Sequence, residues 1–514
     1  MEIEIPSFPV VFFSFIFVFM AMKILRKTSQ TSCSASKLPP GPWKLPLVGN
    51  IHQLIGPLIH RTLRDLAMKH GPLMYLRVGE VPTIIISSPE YAKEVMRVHD
   101  LAFASRPSVL FSQVMLYDGT DLAFAPYGEY WKQVRKIFMQ ELLNVARVQS
   151  FRAIREEEMF NFIDLISSNV GDVINLSEMV NMLTYNIISR AACGRTRMHN
   201  KEFLPVMVEA MKVSLGFEIS DLFPSVKLFS QMSRSRPKLQ KLRERAERIF
   251  DEIIAEHKEQ KPVGKSGDGI TDEDLVDVLL KFHNNDDLGF SLTSDNLYAL
   301  IFEIFTGGTE TSATSVEWAM SELMKNPTAM KKAQDEVREV FNRKGLADET
   351  GLDEMKYLKS AIKESMRLHP ILPLLLPRES RETCEINGYV IPAKTQTIVN
   401  AWVIGRDPRY WSEPESFKPE RFLDSSIGFK SNNCEFIPFG GGRRICVGMS
   451  FAVVSVELSL AFLLYHFDWI LPNGVKHEDL DMTESFGTTL KRKNALQLIP
   501  IAYELSPIGK SHGN

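Results

Sequence analysis

Cysteine is scarce and scattered in this chain. The 514 residues hold five, Cys33, Cys193, Cys384, Cys434 and Cys446. An odd, unclustered set excludes a disulfide framework and points to a reducing compartment for the folded part. An excess of one charge is also lacking. Sixty basic residues face 63 acidic ones, for a net charge of −3, and a chain without a basic surplus is not expected to bind nucleic acid. There is no GxxxxGK[ST] run, no HExxH and no obvious internal repeat. P-loop phosphoryl transfer, this type of zinc hydrolysis and repeat architectures are therefore set aside.

One long uncharged run is present, from Ile5 to Met22. As a helix it spans about 27 Å, enough for a hydrocarbon core. Glu2 and Glu4 precede it and Lys23, Arg26 and Lys27 follow it, which places the remainder in the cytosol. A cleaved signal peptide, with Ser32–Ser36 as cleavage region, is the competing reading, and the acidic start argues against it. The expected organisation is a membrane anchor over 1–27, a polar then Pro-rich linker over 28–50, and one catalytic domain over 51–514. Pro39, Pro40 and Pro42 stiffen that linker.

Beyond Asn50 most segments carry apolar residues at three and four spacing, as in "EYAKEVMRVHD" and "EYWKQVRKIFMQELL". A long helix is predicted from near Asp295 to Asn326, with Pro327 ending it. Gly307 and Gly308 lie in its middle, at a cost of about 2 kcal/mol relative to alanine. Either a ligand approaches the backbone there or another element packs against it. "LMYLRVG", "TIIIS" and "TQTIVNA" read as a small sheet. Lys261–Gly269 reads as a surface loop. Ser220–Phe229 reads as an apolar loop that either touches a bilayer or is buried.

Cys446 stands apart from the other cysteines. It precedes the apolar stretch "VGMSFAVVSVELSLAFLLYHF" and follows "FGGGRRI". Unpaired N–H groups at a helix start favour a thiolate, as do Arg443 and Arg444. Gly440, Gly441, Gly442 and Gly448 let the backbone come close to a flat object. No His or Cys cluster accompanies it for zinc, whereas a single thiolate suffices for haem iron.

The residues Phe439-x-x-Gly442-x-Arg444-x-Cys446-x-Gly448 resemble the haem loop of the cytochrome P450 monooxygenases. Glu364-x-x-Arg367, Pro419–Phe422 (PERF) and Gly307–Ser312 resemble three further motifs of that family, in the family's order. The match runs from the Pro-rich hinge to the C-terminal region, and its details are most similar to plant microsomal members that hydroxylate terpenoids. The resemblance implies a mainly α fold with small β-sheets, the cytochrome P450 fold, behind an N-terminal transmembrane helix.

It also implies roles. Cys446 is the axial ligand of the iron of haem b. Trp131, Arg135 and Arg444 hold the haem propionates, with Arg106 and Arg378 as further candidates. Phe439, Gly442 and Gly448 shape the haem loop. Glu364, Arg367 and Arg421 form a buried structural lock, which physical chemistry would require to be fully paired. Thr311 and Glu310 are the alcohol and acid that handle oxygen and protons. The absence of an alanine at Gly307 suggests extra room.

Substrate contacts are expected within Phe111–Leu122, Met207–Phe217, Leu300–Thr311, Ile371–Leu376 and Ser485–Thr489. Named candidates are Phe111, Leu116, Leu300, Ile304, Gly307, Leu372, Leu376 and Phe486. The implied reaction uses O2, with electrons from NADPH through a membrane-bound NADPH–cytochrome P450 reductase, since no flavin or nicotinamide fingerprint is evident. Lys132 and Lys136 could face that acidic partner. The expected substrate is an apolar small molecule, a sesquiterpenoid or diterpenoid. The alternatives are another plant metabolite class or a reductase-independent, hydroperoxide-rearranging enzyme. The implied setting is a monomer on the endoplasmic reticulum membrane, single-pass, with a cytosolic catalytic domain.

Overall fold

The computed structural model describes residues 37–194, 200–213, 218–259, 273–284, 290–430, 433–485 and 487–503. The anchor read over 1–27, the loop over 261–269, Cys33 and Phe486 lie outside the described residues.

Five helices frame the site: α1 (Glu129–Ile137), α2 (Leu176–Cys193), α3 (Ser294–Lys325), α4 (Lys356–Leu368) and α5 (Met449–His466). Helix α3 starts at a reciprocal cap. The Thr293 hydroxyl accepts from Asn296 N–H, and the Asn296 side chain accepts from Thr293 N–H. It stops at Asn326, where Pro327 opens the next helix. Most of its residues are buried on every side, so it forms the axis of the domain, with α2, α4 and α5 packed on it. Helix α5 is long and apolar enough to cross a membrane, but 72% of it is buried inside the protein, as a core helix is.

The three predicted strand runs meet in one sheet. Strands β1 (Leu73–Val78) and β2 (Val81–Ile86) form an antiparallel hairpin. Strand β4 (Gln396–Val399) pairs with β2 in parallel, and β3 (Arg378–Glu379) pairs with β4 antiparallel. The Pro-rich stretch is fastened to this sheet. Tyr75 N–H donates to Pro40 O at 2.8 Å, and Asn50 bridges Trp43 O and Arg77 N. Ser220–Phe229 contains the ends of two short helices, Ile219–Leu222 and Lys227–Met232, rather than a continuous loop. Its Leu222 carbonyl accepts from Glu80 N–H at the hairpin turn.

Two helices widen where periodicity reads regular α-turns. Helix α1 continues as a π-turn over Phe138–Leu142, and Pro89–Lys93 continues as one over Glu94–Val98. The second carries Met96 to the cysteine loop. A Cβ on Gly442 would lie 2.1 Å from Met96 O, and Gly442 has φ +65°, so glycine is required there twice over.

Candidate active site

A cavity of about 310 Å³ lies between α3, the cysteine loop, the start of α5 and the segment 371–378. Cys446 faces it. The thiol is open toward the cavity and enclosed by protein elsewhere. Burial pushes its pKa up. The N–H groups of Gly448 and Met449 and the charge of Arg135 pull the other way, as the start of a helix does. A Cβ on Gly448 would stand 3.9 Å from the sulfur, in ordinary van der Waals contact.

Among the described residues, four arginines and one glutamate are the charged residues that line the cavity: Arg106, Arg135, Arg378, Arg444 and Glu303. The arginines spend most of their donors on backbone carbonyls, and Arg378 also pairs with Asp100 at 3.4 Å. Arg444 reaches Ala104 O (2.6 Å), Leu122 O (3.2 Å) and Ala125 O (2.6 Å). Arg106 reaches Ala123 O, Leu376 O and Pro377 O. Arg378 reaches Gly441 O at 2.6 Å, and Arg135 straddles Ile445 O at 3.2 Å. Trp131 donates to Leu122 O at 3.0 Å and lies under Arg444, 4.2 Å from the ring centre. Burial, with repulsion from Arg378, draws Arg444 down to about 9. Burial and repulsion from Arg444 and Arg378 draw Arg106 well below its ordinary value.

Such a buried positive surplus is costly unless an anion relieves it. A flat dianion whose centre takes a thiolate, as haem does, fits these residues. Cys446 would ligate the iron, and Trp131, Arg135, Arg444, Arg106 and Arg378 would receive the propionates. Phe439 lines the same wall and packs edge-on against Phe429.

The two mid-helix glycines divide the readings made of them. Gly307 opens onto the cavity, with nothing within 4 Å of a Cβ placed on it. Gly308 is a packing position, where a Cβ would meet Ile188 Cδ1 of α2 at 2.5 Å. Thr311 lines the cavity while its hydroxyl donates to Gly307 O at 2.7 Å. Glu310 is not on the cavity wall. One helix step turns it away from Thr311, and its carboxylate accepts from the Thr489 hydroxyl and pairs with Lys491 at 3.0 Å.

Glu364 and Arg367 on α4 are buried and paired, and Arg421 reaches the same carboxylate at 3.0 Å. Of the expected pocket residues, Ile304, Gly307, Leu372 and Leu376 line the cavity. Phe111, Leu116 and Leu300 do not. They are buried in the apolar core around it, Phe111 against Phe124 and Phe302. The described part of Met207–Phe217 also stays off the wall.

Sequence reading missed Glu303, Asp121 and Asp100. Glu303 stands one turn before Gly307 on the same face, a spacing visible in "FEIFTG". Asp100 accepts from Arg443 N–H at 2.9 Å and so ties down the cysteine loop. No local signal marks it, because the contact spans the chain.

The model for the family "Cytochrome P450" matches residues 39–498. The chain is 52% identical to cytochrome P450 71D11 of Lotus japonicus, over 94% of this chain and 98% of that one. It is 45% identical to premnaspirodiene oxygenase of Hyoscyamus muticus, over 96% and 99%. It is 50% identical to tabersonine 16-hydroxylase 1 of Catharanthus roseus, over 96% and 97%. A solved structure of a zebra fish cytochrome P450 with abiraterone is similar with a TM-score of 0.73 at 23% identity, over 88% of this chain and 100% of that one. That likeness speaks to fold alone. With the cysteine loop and the Gly307–Ser312 segment lining one cavity and the family model spanning nearly the whole chain, the protein belongs to the cytochrome P450 family of monooxygenases.

Proposed function

We propose that the chain hydroxylates an apolar small molecule of plant specialised metabolism, a sesquiterpenoid or diterpenoid. The observation that carries this reading is the cavity wall. Apart from the arginines and Glu303 it is built largely of Leu, Ile, Met, Phe and Gly side chains around Cys446. Relatives named for an alkaloid hydroxylase and a terpenoid oxygenase stand at similar identity, so an alkaloid is the second reading.

Haem, when bound, supplies the iron at which dioxygen is split, one oxygen atom going to the substrate and the other to water. The chain's own residues set the conditions. Cys446 provides the sulfur. The arginines and Trp131 fix the orientation of the ring edge. Ile304, Leu372 and Leu376 exclude water and hold the substrate. The Thr311 hydroxyl holds a proton at the cavity face of α3, bonded to Gly307 O. Glu310 would deliver protons by leaving Lys491 and Thr489 and turning inward.

Electrons would come from NADPH through NADPH–cytochrome P450 reductase. The chain would work as a monomer, anchored by a single pass in the endoplasmic reticulum membrane with its catalytic domain in the cytosol. Exposed Trp43, Ile55, Leu228 and Met232 support contact with a bilayer near the hairpin turn. The test is turnover of a panel of sesquiterpene and diterpene hydrocarbons and indole alkaloids in microsomes with reductase and NADPH. Product from the terpenoids bears the reading out, product from alkaloids alone favours the second, and turnover only with an added hydroperoxide sinks both.

A further inference from the structure

The segment 96–104 wraps the cysteine loop. A Cβ on Gly442 would stand 2.1 Å from Met96 O and 2.5 Å from Asp100 Oδ1, so a backbone carbonyl and a carboxylate both press on the loop. The two oxygens of Asp100 serve different partners. Oδ2 accepts from Arg443 N–H at 2.9 Å, and the Arg443 side chain approaches the same oxygen at 3.5 Å. Oδ1 pairs with Arg378 at 3.4 Å. Arg378 in turn donates to Gly441 O at 2.6 Å. These contacts close a ring through three consecutive loop residues, Gly441, Gly442 and Arg443, which end three positions before Cys446. An acid that accepts from the loop and an arginine that donates to it hold that loop from both of its backbone groups.

The ring also carries charge. Among the described residues, Arg378 is the one arginine of the cavity wall that pairs with a carboxylate. Burial lowers the pKa of Arg135, and the charges of Cys446 and Asp100 both raise it, so the thiol and this carboxylate act on one guanidinium. Asp100 itself is off the cavity wall, and its side chain is 14% exposed. It therefore touches neither substrate nor ring, yet places a fixed negative charge close to the loop that carries the sulfur. In a partly buried setting such a charge disfavours the gain of an electron nearby.

We propose that Asp100 is a positioning residue for Cys446, which through Arg378 and the Arg443 N–H keeps the thiolate loop seated and by its charge holds the reduction potential of the bound haem low. The inference rests on Cys446 ligating haem iron and deepens that reading, by naming what keeps the ligand in place.

The test uses the full-length, haem-loaded protein without substrate. Asp100→Asn can keep an oxygen on Arg443 N–H but removes the charge. Asp100→Ala removes both. Glu158→Gln is the control. It neutralises a buried carboxylate paired with Arg190 at 3.0 Å, away from the cavity wall. Anaerobic titration with dithionite gives the reduction potential, and the decay of the thiolate-type carbon monoxide band in dilute urea gives the hold on the sulfur. Both Asp100 variants are expected to shift to a more positive potential, with Glu158→Gln unshifted. Asp100→Ala is expected to lose the thiolate band about tenfold faster than wild type, and Asp100→Asn faster than the control. A potential equal to that of wild type in Asp100→Asn, or band loss no faster than in Glu158→Gln, overturns the proposal. If Asp100→Ala does not fold, Asp100→Asn supplies both readings. A wild type that lacks the thiolate band from the start instead overturns the haem-thiolate reading, so the two failures are distinct.

Discussion

Glu364 and Arg367 face each other one turn apart on α4, the guanidinium holding both carboxylate oxygens at 2.7 and 2.8 Å with no exposure of either side chain. The remaining donors of Arg367 go to the carbonyls of Gly405, Pro414 and Ser416. Arg421 and Lys418 N–H complete the acceptor side. The pair thus fastens the chain between Gly405 and Arg421 to α4, beneath the cavity. Removing one member strands a buried charge. Glu364→Ala is expected to lose about 3–5 kcal/mol, read by chemical denaturation, and to purify with little haem. Arg367→Lys should fail similarly, since an ammonium cannot serve five acceptor directions.

The two glycines of α3 are expected to respond differently to alanine. Gly307→Ala gains about 1 kcal/mol of helix propensity and meets no neighbour, so it should be stabilising while narrowing the cavity. Gly308→Ala must displace Ile188, and should fall below Gly307→Ala by about 1–3 kcal/mol. Adding Ile188→Ala should erase the steric part of that difference in a double-mutant cycle.

The long helix and the three extended runs were legible in the sequence because each rests on local signals, an apolar spacing ended by a proline and short runs of extended residues, whereas the buried lock, which joins Arg421 to Glu364 across 57 residues, was implied only by the family resemblance. The cavity wall was legible only in part. Phe111, Leu116 and Leu300 are apolar for the same reason as Ile304 and Leu372, and hydrophobicity does not say which side of a helix meets a cavity and which meets the core. Glu310 and Thr311 are adjacent in sequence and therefore about 100° apart around α3, so a motif that reads as a pair separates in space. Asp100 and Glu303 depend on contacts with Arg443 and Leu122, far along the chain.

Thr311 and Glu310 should therefore differ in effect. Thr311→Ala removes a hydroxyl from the cavity wall. NADPH consumption is expected to continue while product falls and hydrogen peroxide rises. Glu310→Gln breaks the pairing with Lys491 and should slow turnover with less diversion to peroxide. Both are read by measuring NADPH, product and peroxide together. Unchanged product yield in Thr311→Ala removes that hydroxyl from the reaction.

His257 supplies a pH dependence away from the cavity. Its Nδ1 faces Ile253 O at 2.6 Å and its Nε2 faces Asp274 Oδ2 at 2.8 Å, so both nitrogens need protons. Burial lowers the pKa, but the Asp274 bond and charge and the Ile253 carbonyl outweigh it and raise it to about 9. The folded value exceeds the unfolded one, so the added stability is full below pH about 6.5 and is lost as pH rises through about 9. Wild type should exceed His257→Gln in stability at mildly acidic pH and approach it in alkaline buffer. A gap that widens with rising pH would contradict this.

The account depends on sulfur at position 446 reaching iron. The most direct measurement is the spectrum of the reduced, carbon monoxide-bound protein, wild type beside Cys446→Ala. The wild type is expected to show the red-shifted band of thiolate ligation, and the variant to lack it. A nitrogen-type band in fresh wild-type protein, or an unchanged thiolate band in Cys446→Ala, would contradict the account.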